Sequence, residues 1–175
     1  MMRNRAFDLV VLMALIAGAA LWIYRPIPDF SLHPGEPIIK ATTAQLFVAI
    51  RRRDIPLVQQ CLGLDPSLLQ KANEYGTLPI HAAVATGDQN LTWEILKAGA
   101  GINDRDASQL TPLHWAAKKG DVGMVGFLLE KGADPRAATA DGSTPTSTAN
   151  QYREGHWQEV VRVLGLPHMK QSRAQ

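Results

Sequence analysis

The chain repeats itself. LPIHAAVATGD begins at Leu78, TPLHWAAKKGD at Thr111 and TPTSTAN at Thr144, a constant spacing of 33 residues. Pro79, Pro112 and Pro145 align, as do His81 with His114, and Ala83 with Ala116 and Ala149. Gly87-Asp88 falls on Gly120-Asp121, and LKAGAGIN (96–103) on LEKGADPR (129–136). A unit of this length is one supersecondary element that cannot bury its apolar face alone, so neighbours must stack into a solenoid.

The chemistry within one unit predicts two helices and a turn. Thr111 and Thr144 suit a helix N-cap, and the proline after each suits the first helical position, where a missing N–H costs nothing. Leu78 replaces that threonine and weakens its helix start by roughly 1 kcal/mol. Ala83, Ala116 and Ala117 let paired helices approach closely. Gly87 and Gly120 can take the left-handed conformation that ends the first helix, and Gly132 ends the second. Val125, Leu128 and Leu129 recur at helical spacing and form a buried face. NDRDASQ (103–109) and AATADGS (137–143) supply turn residues for a connecting finger.

Thr-Pro-Leu-His-x-Ala-Ala, then Gly-Asp, then Leu-Leu-x-x-Gly-Ala-Asp, as written between Thr111 and Asp134, resembles the ankyrin repeat. The resemblance covers about residues 41–166. It implies an all-α solenoid of about four helix-turn-helix repeats with short hairpin fingers, near 41–73, 74–106, 107–139 and 140–166. The outer two act as caps. The opening repeat, AQLFVAIRRRD then PLVQQCL, carries Arg53 where glycine usually sits. The last, with Gly155-His156 and EVVRVL, carries a short insertion around Asn150 to Glu154.

Ahead of the repeats, Leu9 to Tyr24 contain no charged side chain. Such a run can satisfy its own backbone as a membrane helix, although its sixteen residues span only about 24 Å of a hydrocarbon core of about 30 Å. Phe7 lengthens it, and Trp22 and Tyr24 suit the lipid–water boundary. Residues 1–24 therefore read as an uncleaved signal anchor crossing the membrane over 7–24, favoured because the run continues through Leu21, Trp22 and Ile23. A signal peptide cut after Ala19 stays open, giving a secreted or periplasmic product. Arg3 and Arg5 place the N-terminus in the cytoplasm and the repeats on the outer or periplasmic side in a single pass. Four prolines and a glycine make 25–40 a linker, and 167–175 reads as a flexible tail.

Residues 41–166 hold twelve basic and thirteen acidic side chains, so the repeat region is near neutral. No basic stripe interleaved with stacking aromatics appears, and no nucleic-acid partner is expected. Neither a cofactor nor a metal is expected. His81 and His114 occupy one repeat position and fall on neighbouring units rather than around one ion, and the resemblance assigns them a hydrogen bond between finger and helix. Cys61, the only cysteine, falls in an apolar ladder and reads as a buried thiol. Asp54, Asp88 and Asp121 recur with the repeat and read as caps. No phosphate loop, paired Cys-x-x-Cys or Ser-His-Asp set stands out, so no enzyme is expected.

The resemblance implies binding on the concave side, lined by finger tips and first helices. By position the fingers offer Lys71, Glu74 and Tyr75, then Arg105, Ser108 and Gln109, then Thr139 and Asp141. The first helices offer Arg51, Arg52, Thr86, Trp115, Lys118 and Lys119. Trp115, Lys118, Lys119, Arg51, Arg52, Tyr75 and Arg105 are the candidate partner-binding residues. Tryptophan, tyrosine and arginine are the side chains that most often carry interface energy, and the cations suit an acidic patch on a protein partner. The function implied is a membrane-tethered protein-binding module. Two alternatives share the layout: a bacterial-type immunity or accessory protein for an exported enzyme or toxin at the envelope, and a self-assembling scaffold.

Overall fold

A computed structural model of the chain describes residues 41–165. The proposed membrane segment over 7–24, the linker over 25–40 and the tail over 167–175 lie outside the described residues. Among the described residues every regular element is helical, and no helix is long and apolar enough to cross a membrane.

Eight α-helices follow one another in pairs. They are α1 (Thr43–Arg52) with α2 (Ile55–Leu64), α3 (Pro79–Thr86) with α4 (Gln89–Lys97), α5 (Pro112–Lys119) with α6 (Val122–Glu130), and α7 (Pro145–Tyr152) with α8 (Trp157–Gly165). A 3-10 turn, Pro66–Gln70, follows α2. The first helices form one continuous inner layer, α1 on α3, α3 on α5 and α5 on α7. In the outer layer α2 packs on α4 and α6 on α8. The buried apolar side chains form two clusters, one within α1–α4 and one within α5–α8 that also takes in Val84 of α3.

The turns between paired helices share a left-handed stop. The first helix ends on a left-handed residue: Arg53 (φ 56°), Gly87 (76°), Gly120 (68°) and Arg153 (52°). The next residue in three of the pairs is an aspartate whose carboxylate accepts backbone N–H groups of the second helix. Asp54 accepts from Leu57, Asp88 from Asn90 and Leu91, and Asp121 from Met124. The recurrent acids are therefore caps, stabilising helix starts through charge and hydrogen bonding.

The last repeat departs from the sequence reading in one detail. Helix α7 runs unbroken through Tyr152, and Arg153 stands in register with Gly87 and Gly120. The extra residues come after it, as Glu154 and Gly155, and they lean on the preceding repeat, where His156 N–H donates to the Gly120 carbonyl at 3.1 Å. A Cβ on Gly120 would collide with the Glu154 carbonyl. Gly120 is thus fixed twice, by its left-handed backbone and by this contact.

Candidate protein-binding groove

The fingers hold the site together, and they repeat as faithfully as the helices. Asn73, Asp106 and Thr139 open the three fingers, each N–H donating across the turn to the carbonyl of Thr77, Leu110 and Ser143. Their side chains accept the turn's own amides: Asn73 from Tyr75 and Thr77, Asp106 from Ser108 and Leu110, Thr139 from Ser143. Neighbouring fingers are joined where Ala107 N–H donates to the Gly76 carbonyl at 3.0 Å. Arg105 reaches from its own finger to the Ala138 carbonyl of the next at 2.8 Å.

His81 and His114 connect these fingers to the helices. Both rings are fully buried. The Nε2 of His81 meets the Leu110 carbonyl at 2.9 Å and that of His114 the Ser143 carbonyl at 3.1 Å. A carbonyl can only accept, so Nε2 carries the proton and Nδ1 is an acceptor. Each histidine therefore ties its helix to the next repeat's finger, an inter-repeat link rather than one within its own unit. Thr111 completes the arrangement in the third repeat, its hydroxyl donating to His114 Nδ1 at 2.9 Å. Leu78 has no hydroxyl, so α3 starts without a side-chain cap and the buried Nδ1 of His81 has no partner among the described residues. Burial holds both imidazoles below their ordinary value.

Between the fingers and the inner helices lies a concave groove of about 860 Å³ spanning the first three repeats. Its floor is Ala82 and Ala85 of α3. Val48 and Arg51 of α1 stand on one side, Trp115 and Lys119 of α5 on the other. Val48, Ala82 and Trp115 hold the same place in successive repeats. The depression exists because the middle repeat has alanine where its neighbours have larger side chains.

Trp115 is half-buried and pinned. Its indole N–H donates to Asp106 Oδ2 at 2.8 Å, and its ring lies 6.1 Å from the His81 ring. Asp106 is only 6% exposed, so this carboxylate depends on the donors the fold supplies. Trp115, a candidate on the concave side from the sequence, forms a braced wall of the groove. Tyr75 stands at the finger tip, 80% exposed.

The groove gathers Arg51, Tyr75, Trp115 and Lys119 of the candidate residues, while Arg52, Lys118 and Arg105 lie off it. Lys118 Nζ sits 4.3 Å above the Tyr152 ring, toward the fourth repeat. Arg53 also lines the groove, and its guanidinium donates to the Thr86 carbonyl at 2.7 Å. The left-handed arginine in a glycine position was the signal in the sequence that could have singled it out. Cys61 is fully buried, and burial, with Asp54 nearby, pushes its thiol pKa up, away from nucleophilic use.

Paired helices, capped turns, finger-tying histidines and an inner groove define an α-helical repeat solenoid. The chain belongs to the ankyrin-repeat family: the family model described as "Ankyrin repeats (3 copies)" matches residues 46–139 and 87–165. It is similar to the RelA-associated inhibitor of Mus musculus, 32% identical over 124 residues that cover 66% of this chain and 15% of that protein. Protein phosphatase 1 regulatory subunit 27 of Mus musculus is 32% identical over 97 residues, covering 55% of this chain and 63% of that one. The Homo sapiens protein of that name is 30% identical over 106 residues, covering 60% and 69%. The chain thus spans less than two thirds of the two mouse relatives.

Proposed function

We propose that the chain is a protein–protein interaction module that takes a segment of a partner protein into the groove between its fingers and inner helices. In this reading the segment over 7–24 tethers the repeats to a membrane, on its outer or periplasmic side; cleavage after Ala19 would release them instead. The observation that carries the binding function is the groove itself. It combines an apolar floor, a rigid aromatic wall and exposed charge, the combination that gives protein interfaces their energy and specificity. Three cations, Arg51, Arg53 and Lys119, and one carboxylate, Glu74, line it, which favours an acidic partner surface. The names of the relatives, an inhibitor and a regulatory subunit, accord with a protein that acts by binding.

Affinity capture tests the reading. The full chain and an Ala82→Gln variant, which lays a long side chain across the floor, are compared as baits in extracts of the native cells, with far-UV circular dichroism confirming equal folding. One protein captured by the native chain and lost with the variant is the expected result. A partner retained by the variant would move the site off the groove, and capture by neither would remove the binding function.

A further inference from the structure

Two cations from different repeats converge on one helix end. Arg53, which closes α1, donates to the Thr86 carbonyl at 2.7 Å, and Lys119, the last residue of α5, donates to the Ala85 carbonyl at 2.5 Å. These are consecutive carbonyls in the last turn of α3, which lies between the other two helices. Such carbonyls carry the partial negative charge of a helix C-terminus. Each cation spends one N–H donor there and keeps others for a ligand. Both line the groove, with Arg51 beside them on α1.

Arg53 is held there against its backbone preference. Its φ of 56° is the left-handed conformation that glycine takes at the matching place in the second and third repeats. Glycine would close α1 with less strain; Arg153 closes α7 in the same conformation outside the groove, so it is the bond to the Thr86 carbonyl that sets Arg53 apart. Of the nearby acids, Asp54, Asp88 and Asp121 each accept helix-start amides, and Glu74, on the first finger, is the one carboxylate that lines the groove with the three cations.

Resting on the groove reading above, we infer that the partner segment is selected by a carboxylate seated between Arg53 and Lys119, close in sequence to an apolar side chain lying on the Ala82 floor between Val48 and Trp115. The spacing follows from α1. Val48 to Arg51 or Arg53 is about 5 to 8 Å along the helix at roughly 1.5 Å per residue, which an extended segment crosses in about two residues. The recognition element is therefore an apolar residue followed or preceded by aspartate or glutamate about two positions away. Lys118, Arg52 and Arg105 take no part.

The test is selection of a randomised twelve-residue peptide display library, roughly four times the inferred element, on the full chain. It is run beside an Arg53→Gly/Lys119→Gln variant and the Ala82→Gln variant. Glycine keeps the left-handed turn, so the double variant changes charge without unmaking α1. The native chain is expected to enrich an apolar-plus-acidic pattern at the stated spacing. Selected peptides should bind the double variant about fivefold to tenfold more weakly, while the apolar preference persists, and should lose the Ala82→Gln variant altogether. Binding lost with Ala82→Gln but showing no acidic preference, or one unchanged in the double variant, would overturn the carboxylate seat and leave the groove standing. No enrichment, or enrichment indifferent to Ala82→Gln, would overturn both.

Discussion

Trp115→Phe separates bracing from surface display. The indole N–H donates at 2.8 Å to a carboxylate that is 6% exposed, and phenylalanine removes that donor while keeping an aromatic ring beside His81. Hydrogen bonds to charged groups contribute about 1.5–3 kcal/mol, and a buried acceptor left bare costs its desolvation. Asp106 retains the Ser108 and Leu110 amides on its other oxygen, so the loss falls on one lone-pair direction only. The expected destabilisation is about 2 kcal/mol, measured by urea unfolding followed at 222 nm. Asp106→Asn supplies the control. Its amide oxygen can still accept the two backbone amides, but its NH₂ then faces the indole N–H, donor against donor. In that background Trp115→Phe should cost nothing or restore stability. A native-background cost under about 0.5 kcal/mol, or an equal cost in both backgrounds, would refute the bracing role.

Four further outcomes are expected. Gly120→Ala should destabilise by more than about 2 kcal/mol, since it combines left-handed strain with a collision against the Glu154 carbonyl, whereas Gly126→Ala, inside α6 with open space around it, should stabilise by about 0.5–1 kcal/mol; both are read by urea unfolding. Thr111→Val should cost about 1–2 kcal/mol by stripping the hydroxyl from His114 Nδ1, and the loss should vanish in a His114→Leu background, checked by a double-mutant cycle. Gln109→Gly should raise the melting temperature, because Gln109 (φ 61°) occupies the left-handed finger position that Gly76 and Gly142 fill in the neighbouring fingers. Stability should also fall as pH drops below about 6.5: burial lowers the His81 and His114 pKa values, so the unfolded chain binds protons the folded one refuses, and the contribution present above the unfolded value is lost toward acid. A melting temperature at pH 5.5 equal to that at pH 7.5 would contradict this.

The frame was legible because the residues that build it act locally. Proline at the first helical position, aspartate at the second helix's N-cap and glycine at a left-handed turn each declare a backbone state within a few residues. The missing cap at Leu78 was legible for the same reason. Its consequence, the unpartnered Nδ1 of His81, needed the third dimension, because it depends on Nε2 being spent on a carbonyl 29 residues away. The groove was legible only as a face. Helical register places Arg51, Trp115 and Lys119 on it, but side-chain reach decides their roles. Lys118 bends to Tyr152, Arg105 bridges two fingers, and Trp115 turns its N–H inward to Asp106. Arg53 went unselected because its role comes from a carbonyl 33 residues on, across a repeat boundary.

The most direct measurement is site-specific photo-crosslinking in the native cells. A benzophenone side chain is placed at Tyr75 on the finger tip beside the groove, and in a separate chain at Trp93, 40% exposed on α4 of the outer layer. Irradiation is expected to give one discrete higher-mass adduct from the Tyr75 position, absent when Ala82→Gln is added, and none of that mass from Trp93. Adducts from Trp93 alone, or none from either position, would contradict a partner held in the groove.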